Sequence, residues 1–173
     1  MSGGDVERFT ASGLDWTAEP AAAAAVRQGI AARLDELEAL PGVTLIKRNL
    51  VRAVYRVPLE GLGTVIVKRY AVRGPLHWVK YTFRASRTLQ EWRIGRWLDA
   101  AAIDTAVPLA MAERRGPVLR DAALVTREIP DALHLNAFVE QHLGVSEAGA
   151  ALRGELYDRL ARVVRRMHDA RVV

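Results

Sequence analysis

A single lysine is the first residue whose type and setting could carry chemistry. In Gly63-Thr-Val-Ile-Val-Lys-Arg-Tyr70 it interrupts a β-branched run, and strand alternation puts Thr64, Ile66, Lys68 and Tyr70 on one face and Val65, Val67 and Arg69 on the other. The chain otherwise takes its positive charge from arginine, with lysine only at 47, 68 and 80. A compact ammonium on a flexible stem can clamp a phosphate as a point charge, a role that arginine's planar fork does not reproduce. Taken alone, the segment reads more readily as a strand with a solvated polar face.

The carboxylate that could answer Lys68 is Glu91. On a helix expected over roughly Ser86–Ala100 it shares a side with Ile94, Leu98 and Ala101, which points it inward. An inward carboxylate needs a cation, because unpaired burial is costly. The same residue also completes Thr88-Leu-Gln-Glu91, a capping-box pattern in which it only closes the helix start. Between the strand and this helix, residues 71–87 interleave arginine, lysine and histidine with tryptophan, tyrosine and phenylalanine. That mixture suits an anionic membrane surface, a stack of bases, or a loop whose rings cover the sheet, with nucleic acid the weakest of the three.

Composition narrows the partners without choosing one. The 173 residues carry a formal charge of +5, half of them are hydrophobic and none is cysteine. A single globular domain or one lobe of a larger one is expected, with an anionic partner, and with neither disulfides nor thiolate zinc sites. Histidines 77, 134, 142 and 168 lack the spacing of a helical zinc site, so no metal is assigned. The N-terminus lacks a signal-peptide pattern and no apolar run is long enough to span a bilayer, so a cytoplasmic protein is expected.

These residues need elements to hold them. Residues 1–18 read as a loosely docked arm in which Leu14 and Trp16 look buried. Pro20 suits a helix start, and Val26, Ile30, Leu34, Leu37 and Leu40 form its stripe until Pro41-Gly42. Strands are expected at Val43–Lys47, Ala53–Pro58 and Thr64–Tyr70, the last two joined by a hairpin turn at Gly61-Leu-Gly63, and further strands at Val107–Glu113 and Ala123–Ile129. Pro130 then halts the chain before a helix over Leu133–His142. The final helix, about Ala148–Ala170, aligns Leu152, Leu156, Leu160, Val163, Val164 and Met167 against a face of arginines.

This order resembles a protein-kinase-like small lobe leading into a large lobe. Val65-Ile-Val-Lys68 looks like the kinase Val-Ala-Ile-Lys strand, Glu91 like its helix partner, and Leu124-Val-Thr-Arg-Glu-Ile-Pro-Asp131 like the hinge. With Val54-Tyr-Arg-Val57, Glu91-Trp92 and Met167-His-Asp-Ala170, the wording is similar to the bacterial lipopolysaccharide core kinases of the Kdo/heptose kinase family over roughly residues 43–173.

The resemblance implies an α+β fold: a five-stranded antiparallel sheet with one packed helix over residues 43–129, the hinge and first large-lobe helices over 130–173, and an N-terminal arm and helix over 1–42. It implies phosphoryl transfer from ATP, with Mg, to a sugar of the lipopolysaccharide core at the inner face of the inner membrane. Lys68 would hold the α- and β-phosphates, Glu91 would orient Lys68, and the backbone of Glu128, Ile129 and Pro130 would meet adenine. The first strand-to-strand loop has no glycine, so Asn49 and Arg52 would replace the usual backbone grip on phosphate. Asp169 reads as a helix end rather than the catalytic-loop aspartate, because no asparagine follows in step. The expectation is a nucleotide-binding half that is inactive alone, with the magnesium ligands beyond residue 173. A relative of the aminoglycoside or choline kinases shares this order. The alternative from another class is a non-catalytic basic module that binds nucleic acid or an anionic membrane.

Overall fold

The computed structural model describes residues 5–71, 85–115, 119–133, 135–143 and 147–170. They fall into two compact units, Met1–Arg96 with Ala106–Glu128 and Trp97–Thr105 with Ile129–Val173.

The first unit is built on a seven-stranded antiparallel sheet, two strands more than expected. Its strands are β1 (Glu7–Ala11), β2 (Leu14–Ala18), β3 (Thr44–Arg48), β4 (Arg52–Leu59), β5 (Gly63–Ala71), β6 (Pro108–Arg115) and β7 (Leu119–Arg127). Their order across the sheet is β1-β2-β6-β7-β5-β4-β3. The five expected strands are all present. The two extra ones come from the stretch that had read as a loose arm. Ser12 and Gly13 both take positive φ, 49° and 69°, so the two residues between β1 and β2 form the tight mirror-image turn that matches strand twist. Around that turn Phe9 stacks on Trp16 with centroids 6.0 Å apart, and β2 continues the sheet by pairing Trp16 with Ala112 of β6.

One face of the sheet is covered by helix α1 (Pro20–Gly29) and a 3₁₀ segment, Ala31–Ala39. A single helix to Leu40 had been expected. Instead, Arg33 and Glu36 leave helical angles, and the chain tightens into short 3₁₀ turns. The apolar spacing explains this: Ala31, Leu34, Leu37 and Leu40 recur every three residues, which is the 3₁₀ period. Gly29 sits where a Cβ would come within 2.2 Å of Leu59, so glycine lets α1 lie close to β4. This side holds the main core, with Trp16, Val26, Ile30, Leu34, Val57, Val65, Val67 and Val125 all at or below 2% exposure.

The other face meets helix α2 (Arg87–Ala100) through a smaller cluster of Trp92, Met111 and Leu124. The buried positions of α2 are Thr88, Trp92 and Gly95 rather than the expected Ile94, which is exposed. A Cβ on Gly95 would stand 2.9 Å from Pro108, so glycine again sets how closely the helix approaches a strand. The start of α2 is capped by Ser86, whose Oγ accepts the Leu89 N–H at 2.9 Å. Glu91 is thereby released from the capping role that Thr88-Leu-Gln-Glu91 had suggested.

The second unit contains the end of α2, helix α3 (Leu135–His142) and helix α4 (Glu147–Asp169). Arg153 donates to the carbonyl of Leu143 just past α3, at 3.1 Å, and Arg166 reaches the carbonyl of Ala102. In the apolar stripe of α4, Leu160, Val163 and Val164 are exposed, and Leu152, Leu156 and Met167 are half-buried. Residues 72–84, which hold most of the basic aromatic segment, lie outside the described residues.

Candidate nucleotide site

Register on the α2-facing side of the sheet decides which side chains can act together. Val54 of β4, Lys68 of β5, Leu124 of β7 and Met111 of β6 form one row across the ladder. Arg52, Tyr70, Ala122 and Glu113 form the next row, and Arg56, Ile66 and Thr126 the row on the other side. Opposed residues in such rows present their side chains to the same face. Lys68 therefore emerges among apolar neighbours, with Tyr70 and Ile66 flanking it on its own strand.

Above that row stands Glu91. Lys68 Nζ donates to Glu91 Oε2 at 3.0 Å, and both side chains are less than a third exposed. The other oxygen is also used: Tyr70 donates its hydroxyl to Glu91 Oε1 at 2.9 Å, and Arg87 Nε reaches the same oxygen at 3.3 Å. Burial pushes the Glu91 carboxyl up. The bonds and charge of Lys68, the Tyr70 bond and the charge of Arg87 outweigh it and hold the carboxyl below its ordinary value. Sequence reasoning paired Lys68 with Glu91 but assigned nothing to Tyr70 or Arg87. Their spacing held the signal, since Tyr70 is two residues along the strand on the face of Lys68, and Arg87 is one helical turn before Glu91.

The remaining candidates occupy two other places. Asn49 Oδ1 accepts the N–H groups of Val51 at 3.1 Å and Arg52 at 2.8 Å, so its side chain shapes the glycine-free turn between β3 and β4. Arg52, at the end of that turn, stands near enough to the Tyr70 hydroxyl to pull its pKa down. Glu128 forms a two-pronged pair with Arg56, at 2.7 and 3.1 Å, and gives its N–H to the carbonyl of Thr64. Ile129 is exposed, and Pro130 has no N–H to donate.

Two titrations follow. The Tyr70 phenol is pushed up to about 12, by burial first and then by the charge and hydrogen bond of Glu91, with Arg52 pulling the other way. A raised pKa adds stability that is complete below the unfolded value near 10 and is lost as pH rises through about 12. Ultraviolet titration of the tyrosines is expected to show a late component that accompanies alkaline unfolding and disappears in Tyr70→Phe. Glu91 has the opposite sign: its contribution is present above the ordinary carboxylate value and is lost as pH falls through its lowered folded value.

Among the described residues no group of three or more carboxylate or imidazole side chains converges. What they do form is a fixed ammonium on an antiparallel sheet, held by a helix carboxylate and bordered by apolar side chains. The profile of the lipopolysaccharide kinase (Kdo/WaaP) family matches residues 74–173, more than half the chain, and the chain belongs to that family. The matched stretch contains Glu91, Glu128, Ile129 and Pro130, while Asn49, Arg52, Lys68 and Tyr70 precede it. No curated protein matches the chain.

Proposed function

We propose that this chain holds the nucleotide of an ATP-dependent kinase that phosphorylates a sugar of the lipopolysaccharide core. The observation that carries the reading is the Lys68–Glu91 pair at 3.0 Å, with the second carboxylate oxygen already engaged. A lone half-buried lysine would drift toward water. Paired this way it stays in place, as a phosphate clamp requires.

ATP supplies the phosphoryl group in this reading. Lys68 meets the α- and β-phosphates, and Arg52 adds a second cation at the turn that Asn49 shapes. Val54, beside Lys68 in its row, and Ile66, in the next row, give the apolar surface that a purine covers. The backbone of Glu128 to Pro130 is the stretch assigned to adenine, and the Glu128 N–H itself is bonded to the carbonyl of Thr64. No proton abstraction is assigned to Asp169, which ends α4. The basic aromatic segment 71–87 docks on the anionic glycolipid, which places the protein in the cytoplasm at the inner face of the membrane.

Titration calorimetry of the 173-residue chain with Mg-ATP tests this. Saturable binding that persists at moderate salt is expected, without phosphoryl transfer when core glycolipid is added. Binding that ignores ATP and instead follows nucleic acid with a steep salt dependence would replace this reading with a basic binding module. Turnover by these residues alone would overturn the restriction to nucleotide holding.

A further inference from the structure

Glu91 has two carboxylate oxygens, and the ion pair uses one. Oε1 takes two donors of unequal quality. Arg87 lies on the same helix, is 67% exposed and bonds at 3.3 Å, which is the geometry of a weak surface pair. Tyr70 is 8% exposed, lies on the same sheet face as Lys68 and bonds at 2.9 Å. Arg52 stands close enough to act on the same hydroxyl, pulling its pKa down against the burial and the Glu91 charge. The groups facing Glu91 are therefore Lys68 and Tyr70 from β5 and Arg87 from α2, with Arg52 of β4 acting through Tyr70.

We infer that Tyr70 is a positioning residue for the nucleotide: its hydroxyl fixes the rotation of the Glu91 carboxylate and so sets where the Lys68 ammonium stands. The inference rests on the nucleotide reading above. The terminal torsion of a glutamate is broad and roughly two-fold, so a carboxylate held only by a mobile lysine can turn and offer both oxygens to it. An ammonium chelated in that way is withdrawn from an incoming phosphate. Anchoring Oε1 to a rigid, uncharged donor leaves one oxygen at one place, and the ammonium keeps two protons for the ligand. A positive side chain in the place of Tyr70 would not serve, since it would compete with Lys68 for the same charge.

Tyr70→Phe keeps the ring and removes the donor. Calorimetry with Mg-ATP on the 173-residue chain is expected to show roughly tenfold weaker binding. The acid-side loss of affinity moves to higher pH, because Glu91 loses one of the bonds that hold its carboxyl down. In a Glu91→Gln background the same substitution changes affinity by less than about twofold. A second variant guards against misfolding. Incorporated 3-fluorotyrosine preserves the shape and makes the phenol a stronger donor, and it moves the acid limb to lower pH.

An unshifted acid limb in both variants, or an equal loss with and without Glu91, would overturn the role of Tyr70. The parallel variant Lys68→Ala separates the two levels. If it binds Mg-ATP as the parent does, the nucleotide reading fails and this inference falls with it; if it loses binding while Tyr70→Phe does not, only the positioning role is lost.

Discussion

Lys68→Ala is expected to weaken Mg-ATP binding by roughly a hundredfold while the fold survives. The loss has two sources. The clamp itself disappears, and Glu91 is left as a half-buried carboxylate with its net charge facing the space the phosphates would enter. Lys68 supplies a direct bond and the nearest opposite charge to Glu91, so its removal also lets burial push that carboxyl up. A double variant separates the sources: Lys68→Ala with Glu91→Gln should regain part of the affinity, since the repulsion is gone although the clamp is not. Lys68→Arg should not restore it, because a planar fork would pair with the Glu91 carboxylate two-pronged and carry its charge elsewhere. Calorimetry on the four proteins decides the matter. Affinity within about threefold of the parent in Lys68→Ala would remove the site from consideration, as that is far below the cost of losing a partnered charge.

Trp16→Ala is expected to cost about 3–5 kcal/mol of unfolding free energy. The side chain is 1% exposed, stacks on Phe9 at an interplanar angle of 1°, and donates its indole N–H to the carbonyl of Ala11 at 3.3 Å. It also lies beside Ala112 of β6, so truncation opens a cavity between the β1–β2 hairpin and β6. Denaturant unfolding gives the measurement. A change below about 0.5 kcal/mol, the usual scale for surface positions, would mean that the hairpin is an ornament rather than part of the core.

That hairpin also shows how far a local reading reaches. Ser12-Gly13 between Phe9, Ala11, Leu14 and Trp16 has the turn chemistry and the alternation of a hairpin, so the signal was present. The flanking segments are only five residues each, and five residues with threonines and charges read equally as an arm. Only pairing with β6, some ninety residues later, turns them into sheet. The 3₁₀ segment teaches a related lesson. Its period-three apolar residues are legible, yet Leu34 and Leu37 also fit a helix within the tolerance of a short stripe. The packed chain leaves helical angles at Arg33 and Glu36, which a stripe alone does not show.

At the site, the chain's own residues determined the chemistry and left the partnerships open. A lysine in a β-branched strand and an inward-facing glutamate on the next helix could be read in order, as could the five expected strands around them, because alternation and periodicity are local properties. Whether Glu91 would cap its helix or answer Lys68 could not be settled that way. Thr88-Leu-Gln-Glu91 satisfies the capping pattern as well as any helix start, and both uses are sterically open to an isolated helix. The fold decided it through Ser86, which takes the cap, and through Tyr70 and Lys68, which offer Glu91 two donors at 2.9 and 3.0 Å. A carboxylate that leaves water goes where its charge and both lone-pair sets are met, and that sum exists only once strand and helix are packed face to face.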